Sequence, residues 1–421
     1  MHKNRADVLI IGAGVIGLAS GLALQQAGRS VRILDAGLIG GGSSHGNCGT
    51  ITPSHAMPLA APDTFGRVLR WMLTPDAPFY IKPRFDPALC AWLLRFAARC
   101  NRSDWLQAAA DKTAILEASR QALPEWISHH RLDCEFVASG LDHVFRSAES
   151  LAEFDKDLRA LSEFGIACER IDGADYQRQE PALRDGVVGA VHFPGDASLR
   201  PDRYVAELAR ALREAGGEIV ERCEVQAIVA ESGTMRVEST RGMHPVRDVL
   251  LAAGAWSPRL ARSLSPMLTV LRKAMQPGKG YSITYERPAL TPQRPLVLHE
   301  RRVCVTTWDD GFRLGSTMEF SGYDDTLNRH RLDALVRGAR EYLHQPAGPA
   351  IREEWFGWRP MTFDDLPIIG RAPGQPHLWL ATGHGMLGVS MSIATAQLVT
   401  DLVTGRTPAI DPAPYRVERF A

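Results

Sequence analysis

The chain has 421 residues, and its 48 Lys and Arg residues equal its 48 Asp and Glu residues in number. This balance excludes the basic surface that nucleic-acid binding requires, while 45% hydrophobic and 23% charged residues are ordinary for a soluble globular protein. The seven cysteines form no CxxC or His-paired spacing, which argues against a disulfide framework and a metal site and favours a reducing cytoplasm.

The first predicted elements lie in an uncharged run from Val8 to Gly28. Such a run could be a signal peptide or a membrane span, but five glycines interrupt it and its period changes along its length. Val8 to Ile11 is typical of a buried strand, the residues after the glycines have helical spacing, and Val31 to Leu34 is a second buried strand. The run therefore predicts a βαβ unit, which cleavage as a signal peptide would destroy.

The turn after the first strand has the glycine spacing of a dinucleotide-binding motif. Gly12 permits a tight turn, Gly14 lets a pyrophosphate approach the backbone, and Gly17 lets helix and strand pack closely. The free N–H groups at the start of the helix attract phosphate. Asp35 ends the second strand, 18 residues after Gly17, where a carboxylate can accept hydrogen bonds from ribose hydroxyls.

The remainder of the chain alternates between predicted helices and strands. A loop is predicted over 38–58 and mainly helices over 85–180. Residues 187–251 should form strands and one helix, which could begin at Asp202. Consecutive sheet strands are predicted over 281–320, a helix over 329–343, and a strand, a glycine turn and a long helix over 377–405.

This order predicts an α/β fold with two domains, since one compact core is not expected at this length. We expect a Rossmann-like dinucleotide-binding domain that is discontinuous in sequence. The second domain, inserted in pieces, should be built on a mainly antiparallel sheet plus helices, with the site at the interface. The predicted ranges are 1–84, 196–270 and 358–421 for the nucleotide domain, and 85–195 and 271–357 for the substrate domain.

Several stretches resemble the flavin amine oxidoreductases of the D-amino-acid oxidase and dehydrogenase group. They are GAGVIG with Asp35, GGSSHGNCG, LLAAGAWS, GWRPMTFDDLPIIG and GHGMLGVSMS. KGYSIT, RLGSTMEF and GHGMLG resemble most the bacterial D-amino-acid dehydrogenases, some of which act on D-proline-type imino acids. The resemblance covers nearly the whole chain. It implies FAD, bound non-covalently, rather than NAD. The family often has Glu at the position of Asp35, but the shorter carboxylate still reaches ribose hydroxyls.

The resemblance also implies an activity. The expected reaction oxidises a D-amino or D-imino acid by hydride transfer to flavin N5 and passes the electrons to a quinone or another carrier. D-Proline and cis-4-hydroxy-D-proline are leading candidate substrates. A glycine or sarcosine oxidase that uses oxygen, and a non-catalytic FAD subunit of a larger electron-transfer complex, are the alternatives left open. A cytoplasmic location is expected, with partner subunits and peripheral attachment to the inner membrane also left open.

The resemblance places FAD contacts in four parts of the chain. The loop after the second strand would cross the pyrophosphate and the flavin ring, and LLAAGAWS would pass the adenosine half. GHGMLG would open the last helix, whose N–H groups and dipole would stabilise negative charge on the reduced flavin. The predicted contacts are Gly12, Gly14, Val15, Ile16, Gly17, Asp35, Ala36, Ser43, Ser44, His45, Asn47, Gly49, Val225, Ala253, Gly254, Trp256, Gly383, Gly385, Met386, Leu387 and Gly388.

Four residues are candidates for contact with the substrate. Arg359 suits a carboxylate because its guanidinium offers two parallel donors, although a surface ion pair is the alternative. Arg313 is a second candidate for the same role. Tyr281 could donate its phenol to the same carboxylate, and His384 could either line the pocket or cap a turn.

No carboxylate is expected in the pocket to act as a general base. Asp364 and Asp365 follow the RPMTF stretch, and we expect both in a solvated turn. Direct hydride transfer needs no such base, which is consistent with this expectation.

Overall fold

The computed structural model describes residues 6–62, 79–231, 233–264 and 268–421. The helices are α1 (Val15–Gln26), α2 (Pro87–Arg99), α3 (Arg102–His130), α4 (Ala148–Glu163), α5 (Gly173–Gln179), α6 (Pro201–Glu214), α7 (Ser257–Leu264), α8 (Thr269–Ala274), α9 (Arg329–Tyr342) and α10 (Ser392–Thr404). Short 3₁₀ helices lie at Pro53–Ala56, Gly254–Trp256, His299–Arg301, Ala413–Tyr415 and Val417–Phe420.

The strands lie mainly in two large sheets. They are β1 (Val8–Ile11), β2 (Val31–Leu34), β3 (Thr50–Ile51), β4 (Phe79–Ile81), β5 (Leu141–Phe145), β6 (Glu169–Asp172), β7 (Gly189–Phe193), β8 (Ala197–Ser198), β9 (Glu218–Val220), β10 (Val225–Glu231), β11 (Thr234–Ser239), β12 (Gly242–Val246), β13 (Asp248–Leu251), β14 (Met275–Glu286), β15 (Leu296–Leu298), β16 (Val303–Thr307), β17 (Gly311–Gly315), β18 (Met318–Phe320), β19 (Ile351–Thr362), β20 (Ile368–Arg371) and β21 (Leu378–Thr382).

Among the described residues, the first large sheet has six strands in the order β20-β21-β13-β1-β2-β9. All neighbours are parallel except β20 and β21, which are antiparallel. Every side chain of β1 is buried, and α1 packs between this sheet and the helices α6 and α10. The predicted βαβ unit and the α/β fold are confirmed.

The second large sheet has ten strands within the described ranges, in the order β4-β18-β14-β17-β16-β15-β5-β7-β6, with β19 beside β14. Its pairings are antiparallel except β4 with β18 and β5 with β15. The long strands β14 and β19 pair from Met275 opposite Thr362 to Tyr285 opposite Ile351. The α9 helix packs against β14 to β17. The mainly antiparallel second sheet is thus as predicted.

Several predicted elements differ from those observed. The segment 85–180 contains the strands β5 and β6 as well as helices, and polar residues buried in β5, such as Asp142 and His143, hide its strand pattern. The α6 helix begins at Pro201 rather than Asp202. β4 belongs to the second sheet, and β19 crosses the predicted domain limit at residue 358. The domain ranges remain a prediction.

The prediction that GHGMLG opens the last helix is wrong, because α10 begins only at Ser392. The segment from Gly383 to Met391 consists of turns, with a left-handed backbone at Gly383 (φ +76°) and Gly385 (φ +53°). Its N–H groups are therefore loop groups rather than the first N–H groups of a helix. In the described part of the chain, no helix combines the length and apolar character needed to span a bilayer.

Candidate functional site

A cavity of about 2830 Å³ extends over both sheets. At one end it follows the glycine turn after β1 and the ends of β2 and β13. At the other end it is bounded by the 384–389 loop and by residues 355–361 of β19. The cavity lies at the carboxyl ends of parallel strands, where open α/β sheets bind their ligands.

Two of the three motif glycines are required by the fold itself. A Cβ atom on Gly12, whose φ is +111°, would lie 2.5 Å from the Ala252 carbonyl oxygen, and one on Gly17 would lie 1.9 Å from the Gly12 carbonyl oxygen. A Cβ on Gly14 would meet only the Ser44 hydroxyl, at 3.4 Å. Gly14 lines the cavity, so the space that its missing side chain leaves is available to a ligand.

Asp35 connects the glycine turn to the end of β2. One carboxylate oxygen accepts a hydrogen bond from the Ala13 N–H at 2.7 Å, and the other accepts one from the Gly37 N–H at 2.7 Å. Each oxygen keeps a lone pair for a further donor. Asp35 and Ala36 both line the cavity, which is consistent with contact to a ribose.

The loop that follows β2 lies on the second sheet. A Cβ on Gly46 would be 2.0 Å from the Trp355 ring, so only a glycine fits between loop and sheet. The amide group of Asn47 donates to the Met386 carbonyl oxygen at 3.4 Å and accepts from the Gly49 N–H at 2.7 Å. It thereby joins this loop to the C-terminal loop.

Most predicted FAD contacts lie on the cavity wall. Those that do are Gly12, Gly14, Val15, Ile16, Asp35, Ala36, Ser43, Ser44, Asn47, Val225, Ala253, Gly254, Trp256, Gly385, Met386, Leu387 and Gly388. Four do not: Gly17 packs on Gly12, Gly49 on Leu199, and Gly383 on Thr362, while His45 pairs with Glu353 at 2.7 Å. The structure does not support direct FAD contact by these four residues.

Arg313 does not line the cavity either, which contradicts its candidacy for the substrate. Its guanidinium donates to the carbonyl oxygens of His45 and Asn47 at 2.8 and 2.7 Å. It also donates to Thr284 Oγ1 at 2.8 Å and pairs with Glu353 at 3.4 Å. With 2% of its surface exposed, Arg313 holds the 45–47 loop on the sheet.

Replacing Arg313 with Lys should weaken FAD binding at least tenfold, because one ammonium cannot make these several divergent bonds. The dissociation constant for FAD, measured by flavin fluorescence, checks this expectation. Arg329→Lys is the matched control, because Arg329 is exposed and pairs with Glu354 at the sheet surface. Unchanged FAD affinity in Arg313→Lys would show that the loop does not depend on Arg313.

Arg359 lies where its guanidinium could bind the carboxylate of a substrate. It lines the cavity, and its Nη1 donates to the Thr317 carbonyl oxygen at 2.7 Å. With the described residues it forms no ion pair, so the alternative of a surface ion pair is not supported. Its guanidinium lies over Gly280, where a Cβ would be 2.4 Å from Cζ. Removal from water lowers the pKa of Arg359, because burial disfavours the charged guanidinium. An anionic ligand beside it would stabilise that charge.

Tyr281 is not placed to bind a substrate. It is 1% exposed, is absent from the cavity wall, and its phenol donates to Glu319 Oε2 at 3.1 Å. Burial raises the pKa of Tyr281, and the charge of Glu319 raises it further. The expectation that Tyr281 donates to the substrate carboxylate is therefore contradicted, because its hydroxyl is already used within the protein.

His384 lines the cavity and shares a hydrogen bond with Thr395 Oγ1 at 3.0 Å. Burial lowers its pKa to about 3, so the imidazole is neutral at any ordinary working pH. A neutral histidine with so low a pKa is a weak proton acceptor, and its observed partner indicates that it supports the turn at the start of α10.

His384→Ala should therefore lower the rate of flavin reduction by substrate only modestly, by about 10²-fold or less. The pH profile should keep the ascending limb that follows the substrate's amine, since His384 does not titrate there. Stopped-flow reduction as a function of pH measures both quantities. A much larger loss, together with the disappearance of that limb, would identify His384 as a base.

One pair on the cavity wall was missed by the sequence prediction. Asp365 is 8% exposed and pairs through Oδ2 with Lys112 Nζ at 2.6 Å, so the prediction of a solvated turn is wrong for this residue. Lys112 lies on the same face of α3 as the buried residues Ala109 and Leu116. A lysine on the apolar face of an amphipathic helix was the available signal, because such a lysine needs a buried partner.

The shape and lining of the cavity suit a dinucleotide. The cavity is continuous from Gly14, where a side chain would fill it, past Asp35 and Asn47 to Gly388. It offers a tight glycine turn at the N-terminus of α1, the Asp35 carboxylate for a ribose, and main-chain groups of the 384–389 loop at the opposite end. The residues present therefore fit FAD.

Comparisons with known proteins agree with this geometry. Residues 7–402 match the family model described as FAD dependent oxidoreductase, DAO. The chain is 32% identical to a D-amino acid dehydrogenase of Cereibacter sphaeroides over 98% of this chain and 95% of that protein. It is also 32% identical to one of Chromohalobacter salexigens over 99% of this chain and 100% of that protein.

A solved structure shows the same fold. Glycine oxidase from Geobacillus kaustophilus superposes with a TM-score of 0.79 at 23% identity, covering 99% of both chains. At that identity the likeness concerns the fold alone, whereas the family model spans nearly the whole chain. The chain therefore belongs to the FAD-dependent oxidoreductases of the DAO family, and FAD is its cofactor.

Proposed function

We propose that this protein is a dehydrogenase that oxidises D-amino or D-imino acids and passes the electrons to a quinone or another carrier. The relatives named D-amino acid dehydrogenase, which match over almost their full length, support this activity. FAD, when bound, supplies the two-electron acceptor. The protein's own residues supply binding, orientation and electrostatics.

The position of Arg359 is the main structural support for this proposal. An amino-acid substrate has one invariant anionic group, its carboxylate, and Arg359 offers a cationic fork on the cavity wall with no ion-pair partner among the described residues. The Gly385 N–H donates to the carbonyl oxygen of Pro360, the residue after Arg359, at 3.1 Å. A carboxylate held by Arg359 would thus lie near the loop predicted to contact the flavin.

Proline-type rings are the proposed leading substrates, including cis-4-hydroxy-D-proline. Their preference over acyclic D-amino acids rests on the resemblance described above. The products would be a cyclic imine from a proline-type ring, and an imine that water hydrolyses to a keto acid from an acyclic substrate.

The identity of the electron acceptor separates the proposal from its rivals. Enzyme reduced anaerobically by a D-amino acid should be reoxidised faster by a soluble quinone analogue than by air-saturated buffer. Faster reoxidation by oxygen, with glycine or sarcosine as substrate, would favour the oxidase. A flavin that no amino acid reduces, but that a partner protein does, would favour the non-catalytic subunit.

A further inference from the structure

Among the described residues of the cavity wall, Lys112 and Asp365 form the least exposed ion pair. Lys112 is 3% exposed and Asp365 is 8% exposed, and the distance from Nζ to Oδ2 is 2.6 Å. The same Oδ2 also accepts a hydrogen bond from the Leu59 N–H at 3.2 Å. Both charged residues contribute to the wall of the cavity.

Burial of this ion pair costs free energy. Two charges have been removed from water, which costs free energy unless their mutual attraction offsets it. Asp365 also has a left-handed backbone with φ +60°, a conformation that most residues with a side chain avoid but that Asp and Asn adopt more readily. Such costs concentrate at functional sites, where the surrounding structure maintains them for a purpose.

The pair adjoins the 384–389 loop, which is predicted to contact the flavin. A Cβ on Gly385 would lie 3.4 Å from Asp365 Oδ1, so the carboxylate reaches the main chain of that loop. Lys112 approaches from α3 on the other side of the carboxylate. A charge left unpaired at this place would act on a bound flavin through a partly dry, weakly screening medium.

We propose that Lys112 and Asp365 together set the midpoint potential of the flavin. The lysine stabilises the negative charge that reduction places on the flavin's pyrimidine edge, and the aspartate attenuates that effect. Both act as positioning residues for charge rather than as groups that bind the substrate. The inference rests on the proposed function in one respect, the placement of the flavin ring beside Gly385.

The test uses the FAD-loaded protein and slow chemical reduction with dithionite against a reference dye, with no amino acid present. Lys112→Met leaves the carboxylate unpaired and should lower the equilibrium constant for two-electron reduction at least tenfold, about 30 mV. Asp365→Asn leaves the ammonium unpaired and should raise it at least tenfold, since Asn tolerates the left-handed backbone. The double variant should return to within threefold of the wild type.

Asp364→Asn is the matched control. Asp364 is the preceding residue and pairs with Arg419 at 2.7 Å, but it does not line the cavity, so its loss should change the constant less than threefold. If Asp365→Asn binds no FAD, Asp365→Gly serves, because glycine adopts this backbone without strain. Lys112→Gln serves in the same way for Lys112→Met.

Opposite shifts in the two single variants support the proposal. Shifts of the same sign, or shifts below threefold, would overturn it and leave the pair a purely structural link between α3 and the turn after β19. Because no substrate is used, failure of every amino acid to reduce the wild-type flavin would contradict the proposed function and leave this result intact.

Discussion

Gly14→Val should yield folded protein that is colourless and binds no FAD. A Cβ at this position meets only the Ser44 hydroxyl within the protein, at 3.4 Å, and the backbone there (φ −77°, ψ 178°) suits any residue. Its side chain would occupy the space through which a pyrophosphate approaches the main chain. Absorbance at the flavin band and circular dichroism together measure cofactor loss and retained fold.

The same substitution elsewhere in the motif would not be informative, because Gly12 and Gly17 have no room for a Cβ and the fold itself would suffer. Gly195→Val is a suitable control. Gly195 has open space around its Cβ position and lies outside the cavity wall, so this variant should remain yellow. Full FAD content in Gly14→Val would show that the dinucleotide does not follow the turn after β1.

Arg359→Lys should raise the dissociation constant of the substrate well over tenfold while FAD stays bound. A lysine carries the same charge but cannot form the two parallel hydrogen bonds that a guanidinium makes to a carboxylate. Titration of the flavin spectrum with an unreactive carboxylate ligand, such as benzoate, and saturation of the reduction rate with substrate both report this affinity. Arg371→Lys, at an exposed residue of β20, is the control.

A second variant tests the same site without changing its charge. A Cβ on Gly280 would come within 2.4 Å of the Arg359 Cζ, so Gly280→Ala should displace the guanidinium and weaken substrate binding in the same direction. Normal affinity in both variants would move the carboxylate site away from Arg359.

The parts of the fold that the sequence predicts are those in which the signal is local. The βαβ unit is readable because β1 and β2 are short apolar strands and the glycine spacing between them has a direct steric cause, seen in the contacts of Gly12 and Gly17. Asp35 follows from its position after β2. The strand β1 also pairs with β13, which is distant in sequence, but the apolar pattern of β1 and β2 and the glycine spacing can be recognised without that partner.

The errors arise where a residue's role is decided by a distant partner. Arg313 and Tyr281 stand on apparent strands near the resembling motifs, but their hydrogen bonds go to the His45 carbonyl oxygen and to Glu319. The sequence predicts a solvated turn at Asp365 because its partner, Lys112, is 253 residues away and is not evident from the local sequence. Such pairings are set by how the strands and helices assemble. A local pattern can indicate that Lys112 needs a buried partner, but not which residue supplies it.

The carboxylate site and the flavin together should oxidise D-amino or D-imino acids. Anaerobic mixing of the FAD-loaded protein with matched D- and L-enantiomers, proline included, tests it most directly, with flavin absorbance as the readout. We expect rapid bleaching by D-enantiomers, led by proline-type rings, and little by the L-forms. Rapid bleaching by L-enantiomers but not by D-enantiomers would contradict it.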